Sequence, residues 1–323
     1  MIDRQGRNID YIRVSVTDRC QLRCVYCMPP EGVPSMTHED ILRFDEIAHL
    51  CKLFARLGIR KIKITGGEPL CRKGLPDLIR QLKGLEGIEQ VTLTTNGVEL
   101  ARYWEELCQA GLDAVNISLN TLDRDLYQSI ARRDRLEDAL AGIRLAAASG
   151  VMPVKVNCVP MCREQKLWDV AELARDLPIS VRFIEMMPVG NGKDFLSIPT
   201  PEVMSILESR FGALTLSDAV LGNGPAEYYD LPGFQGKIGF ISALSHKFCH
   251  TCNRVRMTAN GFLKTCLQYS HGTDLRAPLR EGVEEQILWD TVSTAIYSKP
   301  GAHHFDGTIT QEDEQRIMSQ IGG

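Results

Sequence analysis

The 323-residue chain has no apolar run near the ~18–20 residues that a membrane span requires. Its first residues, Met1-Ile2-Asp3-Arg4-Gln5, run straight into polar sequence without the apolar core of a secretory signal, so a cytoplasmic location is expected. It also lacks an excess of positive charge, since 37 Lys and Arg stand against 41 Asp and Glu, a formal net charge of −4. That balance removes the electrostatic footprint of a general nucleic-acid binder while leaving room for a local basic pocket. There is no low-complexity segment and no repeat of solenoid period. With 44% hydrophobic and 24% charged residues the composition is that of a globular protein, and disorder, collagen and coiled coil lose support.

Cysteine is plentiful instead. Eleven is an odd number and no secretion signal accompanies it, so a disulfide framework explains these residues poorly and metal or redox chemistry explains them better. Cys20, Cys24 and Cys27 crowd together early, and Cys249, Cys252 and Cys266 crowd together late. Cys51, Cys71, Cys108, Cys158 and Cys162 are scattered and read as small packing residues. Cys51 lies on the apolar helical stripe of Phe44, Ile47, Leu50, Phe54 and Leu57.

From residue 38 to about 185, helical periodicity alternates with short apolar runs. A helix over Asp45–Leu57 stops at Gly58, and Lys61–Thr65 then alternates with period two. Further strands are predicted at Gln90–Thr94, Ala114–Ser118, Val154–Val156 and Val181–Ile184, with helices at 75–84, 99–109, 124–147 and 166–176. Such alternation implies a parallel sheet, open or closed into a barrel. Loop-forming polar residues follow each strand: Gly66-Gly67-Glu68-Pro69, Thr94-Thr95-Asn96-Gly97, Ser118-Leu119-Asn120, Asn157 and Glu185-Met186-Met187-Pro188. Because the carboxyl edge of such a sheet carries the ligand site, these five segments are expected to face one pocket. After Gly190 the pattern changes. Turn-rich breaks at 190–193 and 222–225, a helix at Pro201–Phe211, a strand at Lys237–Ala243 and helices at 274–281 and 283–297 read as a smaller C-terminal module.

Cys20-x3-Cys24-x2-Cys27 follows the strand-like Tyr11–Val16, and three thiolates in one loop can converge on one metal centre. Structural zinc takes four ligands and a [4Fe–4S] cube has four irons to hold, so three cysteines leave one position open. On a cube, a substrate can be ligated there and receive an electron directly. A zinc site would need a fourth ligand, for which His38 is the local candidate. The late group is more ambiguous, because His246, His250 and His271 are near enough to complete a zinc site. Asn253-Arg254-Val255-Arg256 follows it at once, and arginine forks match phosphate oxygens. Arg13, Lys63 and Lys155 each occupy a strand-like segment leading toward the expected pocket, although any one alone reads as a surface charge.

With Tyr26 just before its third cysteine, the first triad resembles the signature of radical S-adenosylmethionine (SAM) enzymes, and Gly66-Gly67-Glu68-Pro69 is similar to their methionine-amino motif. The second triad, Asn253–Arg256 and the terminal Gly322-Gly323 resemble one family among them, the GTP 3′,8-cyclases of molybdenum cofactor biosynthesis, over essentially the whole chain. The resemblance implies an α/β fold, an incomplete (β/α)6 TIM-like radical SAM barrel with a C-terminal extension. Residues 1–217 would form the barrel with its N-terminal [4Fe–4S] cluster, and 218–323 a module with an auxiliary [4Fe–4S] cluster and GTP-binding residues. Cys20, Cys24 and Cys27 would ligate the SAM cluster, and Cys249, Cys252 and Cys266 the auxiliary one. Tyr26, Gly67, Ser118 and Met187, rather than Met186, would hold SAM, while Arg13, Lys63, Thr94, Lys155, Arg254 and Arg256 would surround GTP. The resemblance implies arginine at the position of Lys63 in many relatives. Gly322 and Gly323 would form a finger that takes part in catalysis together with Arg13.

The implied reaction is that of a lyase. An electron from the SAM cluster cleaves SAM to methionine and a 5′-deoxyadenosyl radical, which takes hydrogen from C3′ of the GTP ribose; C3′ then attacks guanine C8, giving (8S)-3′,8-cyclo-7,8-dihydroguanosine 5′-triphosphate. Implied partners are GTP, a reductant such as flavodoxin or ferredoxin, and a cyclic pyranopterin monophosphate synthase that takes over the product. No membrane or nucleic-acid partner is expected, and a homodimer is allowed. Two other readings stand beside this one. A radical SAM peptide-modifying maturase usually has more than three cysteines in its extension, and the net charge of −4 counts against a zinc-stabilised nucleic-acid-binding protein.

Overall fold

The computed structural model describes every residue except Ser35, His38, 306–309 and Gly323. The zinc candidate His38 and the last residue of the finger therefore lie outside the described residues. Strands β1 (Tyr11–Ser15), β2 (Lys61–Thr65), β3 (Gln90–Thr95), β4 (Ala114–Ser118), β5 (Val154–Cys158) and β6 (Ser180–Ile184) are parallel neighbours in chain order. Between them run helices α1 (Phe44–Arg56), α2 (Leu75–Lys83), α3 (Leu100–Gln109), α4 (Arg124–Ala131), α5 (Leu136–Ser149) and α6 (Leu167–Asp176). This is the open α/β barrel that the family resemblance implies, a choice that periodicity alone leaves undecided.

The strand period decides what faces where. Ile12 and Val14, Ile62 and Ile64, Val91 and Leu93, and Val115 and Ile117 are all buried in one apolar core with residues of the helices. The alternate positions carry Arg13, Lys63, Thr92, Thr94, Asn116, Lys155 and Arg182, all of which line a cavity instead. The inner face of a closed (β/α)8 barrel is filled with branched apolar side chains. Here it is polar and cationic, so a space is left.

The segment expected as one helix over 124–147 is two. Arg132 breaks it with a left-handed backbone, φ 54°, which costs a non-glycine residue energy. Its guanidinium donates to the carbonyls of Arg23 at 3.2 Å and Met28 at 2.9 Å, so the break clamps the loop that carries the first cysteine triad.

Beyond α7 (Thr200–Phe211), the chain returns to the same sheet at both edges. Strands β7 (Thr215–Leu216) and β8 (Glu227–Asp230) lie outside β9 (Lys237–Ile241), which pairs parallel with β6. β10 (Arg254–Met257) pairs parallel with β1 at the opposite edge and is followed outward by β11 (Phe262–Lys264) and β12 (Thr273–Asp274). Among the described residues the strands of the C-terminal region thus extend the sheet to twelve, and α8 (Arg276–Glu281), α9 (Glu285–Tyr297) and α10 (Met318–Ile321) follow them.

Candidate active site

A cavity of about 830 Å³ occupies the inner face, and both cysteine triads line it. So do residues of all five carboxyl-end segments, among them Gly67, Asn96, Ser118, Asn120, Asn157 and Glu185.

The two glycines after β2 are explained by a close approach. Gly67 N donates to Thr17 O and Glu68 N to Arg19 O, each at 2.7 Å. A Cβ on Gly66 would stand 2.6 Å from Thr17 O, and one on Gly67 2.4 Å from Arg19 O. The Gly-Gly-Glu-Pro loop is therefore pressed onto the residues that lead into Cys20. Glu68 fastens it to the end of β3, accepting from Thr95 Oγ1 and Asn96 N at 2.7 Å, and burial lifts its carboxyl to about 7. Within the triad, burial pushes all three thiols up, Cys24 to about 11, and Cys27 is raised further by Cys24 and Cys20. All three line the same cavity. Tyr26 is anchored by Asn120 Nδ2 at 3.0 Å. Of the two methionines after β6, Met186 packs in the cluster that includes Tyr26, whereas Met187 packs with Leu267 and Ile321 near the C-terminus.

The second triad is clasped from a distance that no local pattern reveals. Arg7 donates to Cys249 O at 2.9 Å, Pro300 O at 2.7 Å and Gly301 O at 3.2 Å, and its charge is met by buried Asp3 at 2.6 Å. Lys299, only 3% exposed, donates to Thr265 O. Burial raises Cys252, but Lys299 and Arg254 outweigh it and bring the thiol down to about 7. His271 is stacked on Tyr269, with ring centroids 5.2 Å apart. Among the described residues, no group of three or more His, Cys, Asp and Glu converges as the ligand set of a single ion.

Sheet register sets three cations side by side: Arg256 on β10 pairs with Arg13 on β1, and Arg13 with Lys63 on β2. Lys155 and Arg182 approach from β5 and β6. Burial lowers Arg256 to about 9 and Lys63 well below the usual lysine range, and in each case neighbouring cations deepen the shift. Lys155 falls to about 8 through burial and Arg182. Such a group is held together against its own repulsion, and a polyanion in the cavity relieves it. Arg182 escapes spacing arguments, although the alternation of Val181-Arg182-Phe183 points it inward. Asn157 Oδ1 accepts from its Nη2 at 2.6 Å and Asn116 Oδ1 at 3.0 Å, which fixes the guanidinium.

Gly322 sits at the carboxyl ends of β1 and β2. It has φ +78°, and an added Cβ would lie 2.8 Å from Ser15 Cβ and 3.0 Å from Thr65 Oγ1. Only glycine fits that seat.

Residues 14–177 match the Radical SAM superfamily, and residues 179–305 match Molybdenum Cofactor Synthesis C. A GTP 3′,8-cyclase of Desulforamulus reducens is 44% identical over 328 residues, spanning 100% of both chains. The chain belongs to the GTP 3′,8-cyclase family of radical SAM proteins. Relatives of the same name from Heliobacterium modesticaldum and Clostridium perfringens are 46% identical over 332 residues and 41% over 325, again across 100% of each. Among solved structures, Streptococcus suis SuiB bound to precursor peptide SuiA is similar in fold, with TM-score 0.61 at 14% identity, covering 95% of this chain and 68% of SuiB.

Superfamily membership brings SAM and one [4Fe–4S] cluster. The first triad fits that group by its chemistry, three half-buried thiols from one loop on the cavity wall beside the glycine-lined loop. The second triad has the same donor set on the same cavity. No described helix is long and apolar enough to cross a membrane.

Proposed function

We propose that this chain converts GTP to (8S)-3′,8-cyclo-7,8-dihydroguanosine 5′-triphosphate, an early step of molybdenum cofactor biosynthesis, in the cavity between its two cysteine triads. The observation that carries the reading is the convergence of Arg13, Lys63, Lys155, Arg254 and Arg256 on one cavity with both triads, in a chain of net charge −4.

Cys20, Cys24 and Cys27 would hold the SAM cluster, and Cys249, Cys252 and Cys266 an auxiliary [4Fe–4S] cluster. When bound, the SAM cluster and SAM supply the 5′-deoxyadenosyl radical that takes hydrogen from C3′ of the ribose. Tyr26, Gly67 and Ser118 line the SAM side, with Met187 and its neighbour Met186. The cations and Thr94 fix the triphosphate, and arginine forks in a water-poor site hold it in one orientation. Gly322, seated against Ser15 and Thr65, would act in catalysis together with Gly323 and Arg13. Residues 1–217 would carry the SAM cluster together with Arg13, Lys63, Thr94 and Lys155 of the GTP set, and 218–323 the auxiliary cluster with Arg254 and Arg256. A one-electron reductant and a synthase that consumes the product complete the reading, in the cytoplasm.

Product analysis after anaerobic incubation with GTP, SAM and a reductant tests it. Iron and sulfide analysis of the reconstituted chain should give about eight irons, four per triad. Zinc, or about four irons, would rule out the two-cluster site. Cleavage of SAM on a peptide but not with GTP would favour a maturase instead.

A further inference from the structure

Five cations surround the outer side of the first cysteine loop. Arg19 immediately precedes Cys20, and Arg23 lies between Cys20 and Cys24, donating to Leu22 O at 2.9 Å and to Cys20 O. Arg132 donates to Arg23 O at 3.2 Å, and Arg133 follows it. Lys73 comes two residues after Cys71, whose Sγ donates to Gln21 Oε1 at 3.1 Å, so this segment also abuts the loop. Arg19, Lys73 and Arg133 are exposed, and Arg23 and Arg132 are half-buried. Among the described residues, no carboxylate forms an ion pair with any of the five. Elsewhere on the surface Arg43, Arg56, Arg80, Arg124 and Arg175 are paired with carboxylates, while exposed Arg4, Arg60, Arg144 and Arg210 form no ion pair among the described residues but are scattered along the chain, so what sets the five apart is their grouping around one loop.

A rim of unpaired positive charge on a chain of net charge −4 is an electrostatic target. The cations come from three separate segments and encircle a loop, so they suit a broad acidic surface better than one small anion. The chemistry names what such a surface would bring. Cleavage of SAM consumes an electron, which must reach the first triad from outside while the cavity side is given over to SAM and GTP.

We propose that Arg19, Arg23, Lys73, Arg132 and Arg133 form the docking face for a small acidic one-electron carrier protein. This rests on the proposed radical SAM reading and names the partner of that site. The reduced carrier loses one electron and the iron–sulfur centre gains it; no bond forms and no atom is transferred. Contacts of this kind are small and brief, under about 1,200 Å², and their speed comes from charge steering.

The test uses the reconstituted full chain, Lys73→Glu, Arg133→Glu, their combination, and the milder Lys73→Gln/Arg133→Gln. Binding to flavodoxin of net negative charge is measured by calorimetry at about 0.05 M and 0.3 M salt. Turnover is measured with either reduced flavodoxin or dithionite as the electron source. The Glu pair should weaken flavodoxin binding about tenfold at low salt and much less at high salt, with the Gln pair between it and the unaltered chain. Flavodoxin-driven turnover should fall with it, while dithionite-driven turnover stays within about twofold. Unchanged binding in the Glu pair would overturn the docking face. Equal loss with dithionite would also overturn it, since the two residues would then act inside the enzyme. A chain that binds flavodoxin through this face yet forms no product would refute the cyclisation and support the docking face.

Discussion

Arg256 donates through Nη1 to the carbonyl oxygen of Gly322 at 2.9 Å, so a candidate phosphate ligand on β10 also grips the C-terminal finger. The finger is seated where it has no room for a side chain. Gly322→Ala should therefore displace it and lower cyclisation about 100-fold, the scale of an ångström-sized misplacement, while SAM binding persists. Product and deoxyadenosine assays with a SAM-binding titration check this; near-normal turnover would mean the finger works from another position.

Arg254→Ala and Arg256→Ala should each cost about 100-fold or more in kcat/KM for GTP, since each removes a charged fork. Slow SAM cleavage should continue. If SAM cleavage is lost as well, these arginines act at the other end of the cavity.

Lys63 offers a trade between stability and function. Burial and its cationic neighbours disfavour its charge in the folded chain. Lys63→Met should therefore raise the melting temperature of the nucleotide-free protein by ~2–4 °C and weaken GTP binding. A lower melting temperature would show that the ammonium makes a compensating contact.

The pH dependence follows from Lys155, which burial and Arg182 lower to about 8 in the folded chain, against 10.5 for an ordinary lysine. A depressed lysine costs stability while it is charged, fully below about pH 8, and the cost fades as pH rises from there toward the unfolded value. The nucleotide-free chain should gain stability over that window. A triphosphate favours the charged form, so GTP binding near pH 8 should take up protons, visible as a buffer-dependent enthalpy in calorimetry. Lys155→Met should reduce that uptake. Gly222→Ala should disturb the same group, because its Cβ would stand 2.6 Å from Lys155 Nζ.

Arg7→Met should strip the second triad selectively, because it leaves Asp3 buried without its partner and frees Cys249 from the Pro300–Gly301 turn. Iron content should fall from about eight to about four per chain with the SAM cluster retained. Arg7→Met/Asp3→Leu, which removes both buried charges, should recover part of the stability in a melting experiment.

Much of this site is legible in the sequence because strand alternation is local. Once Ile62 and Ile64 are assigned to the helical side, Lys63 must face inward, and the same holds for Arg13 and Lys155. The cysteine spacings and the carboxyl-end loops are equally local. Other features depend on long-range pairing. Nothing near Arg254 says that β10 will lie beside β1, and nothing near Arg7 says that it will hold Cys249, 242 residues away. The break between α4 and α5 is hidden because neither Gly nor Pro marks it; Arg132 accepts a left-handed backbone where its guanidinium clamps the cysteine loop.

The placement of β9 and β10 bears on how the two functions could be pulled apart. A chain cut after residue 217 would leave β1 and β6 each with a row of unsatisfied amides and carbonyls, open to pairing with other copies. Removing the late segments would therefore yield a sticky, self-templating sheet, so they serve as the hem of the fabric as well as one wall of its cavity.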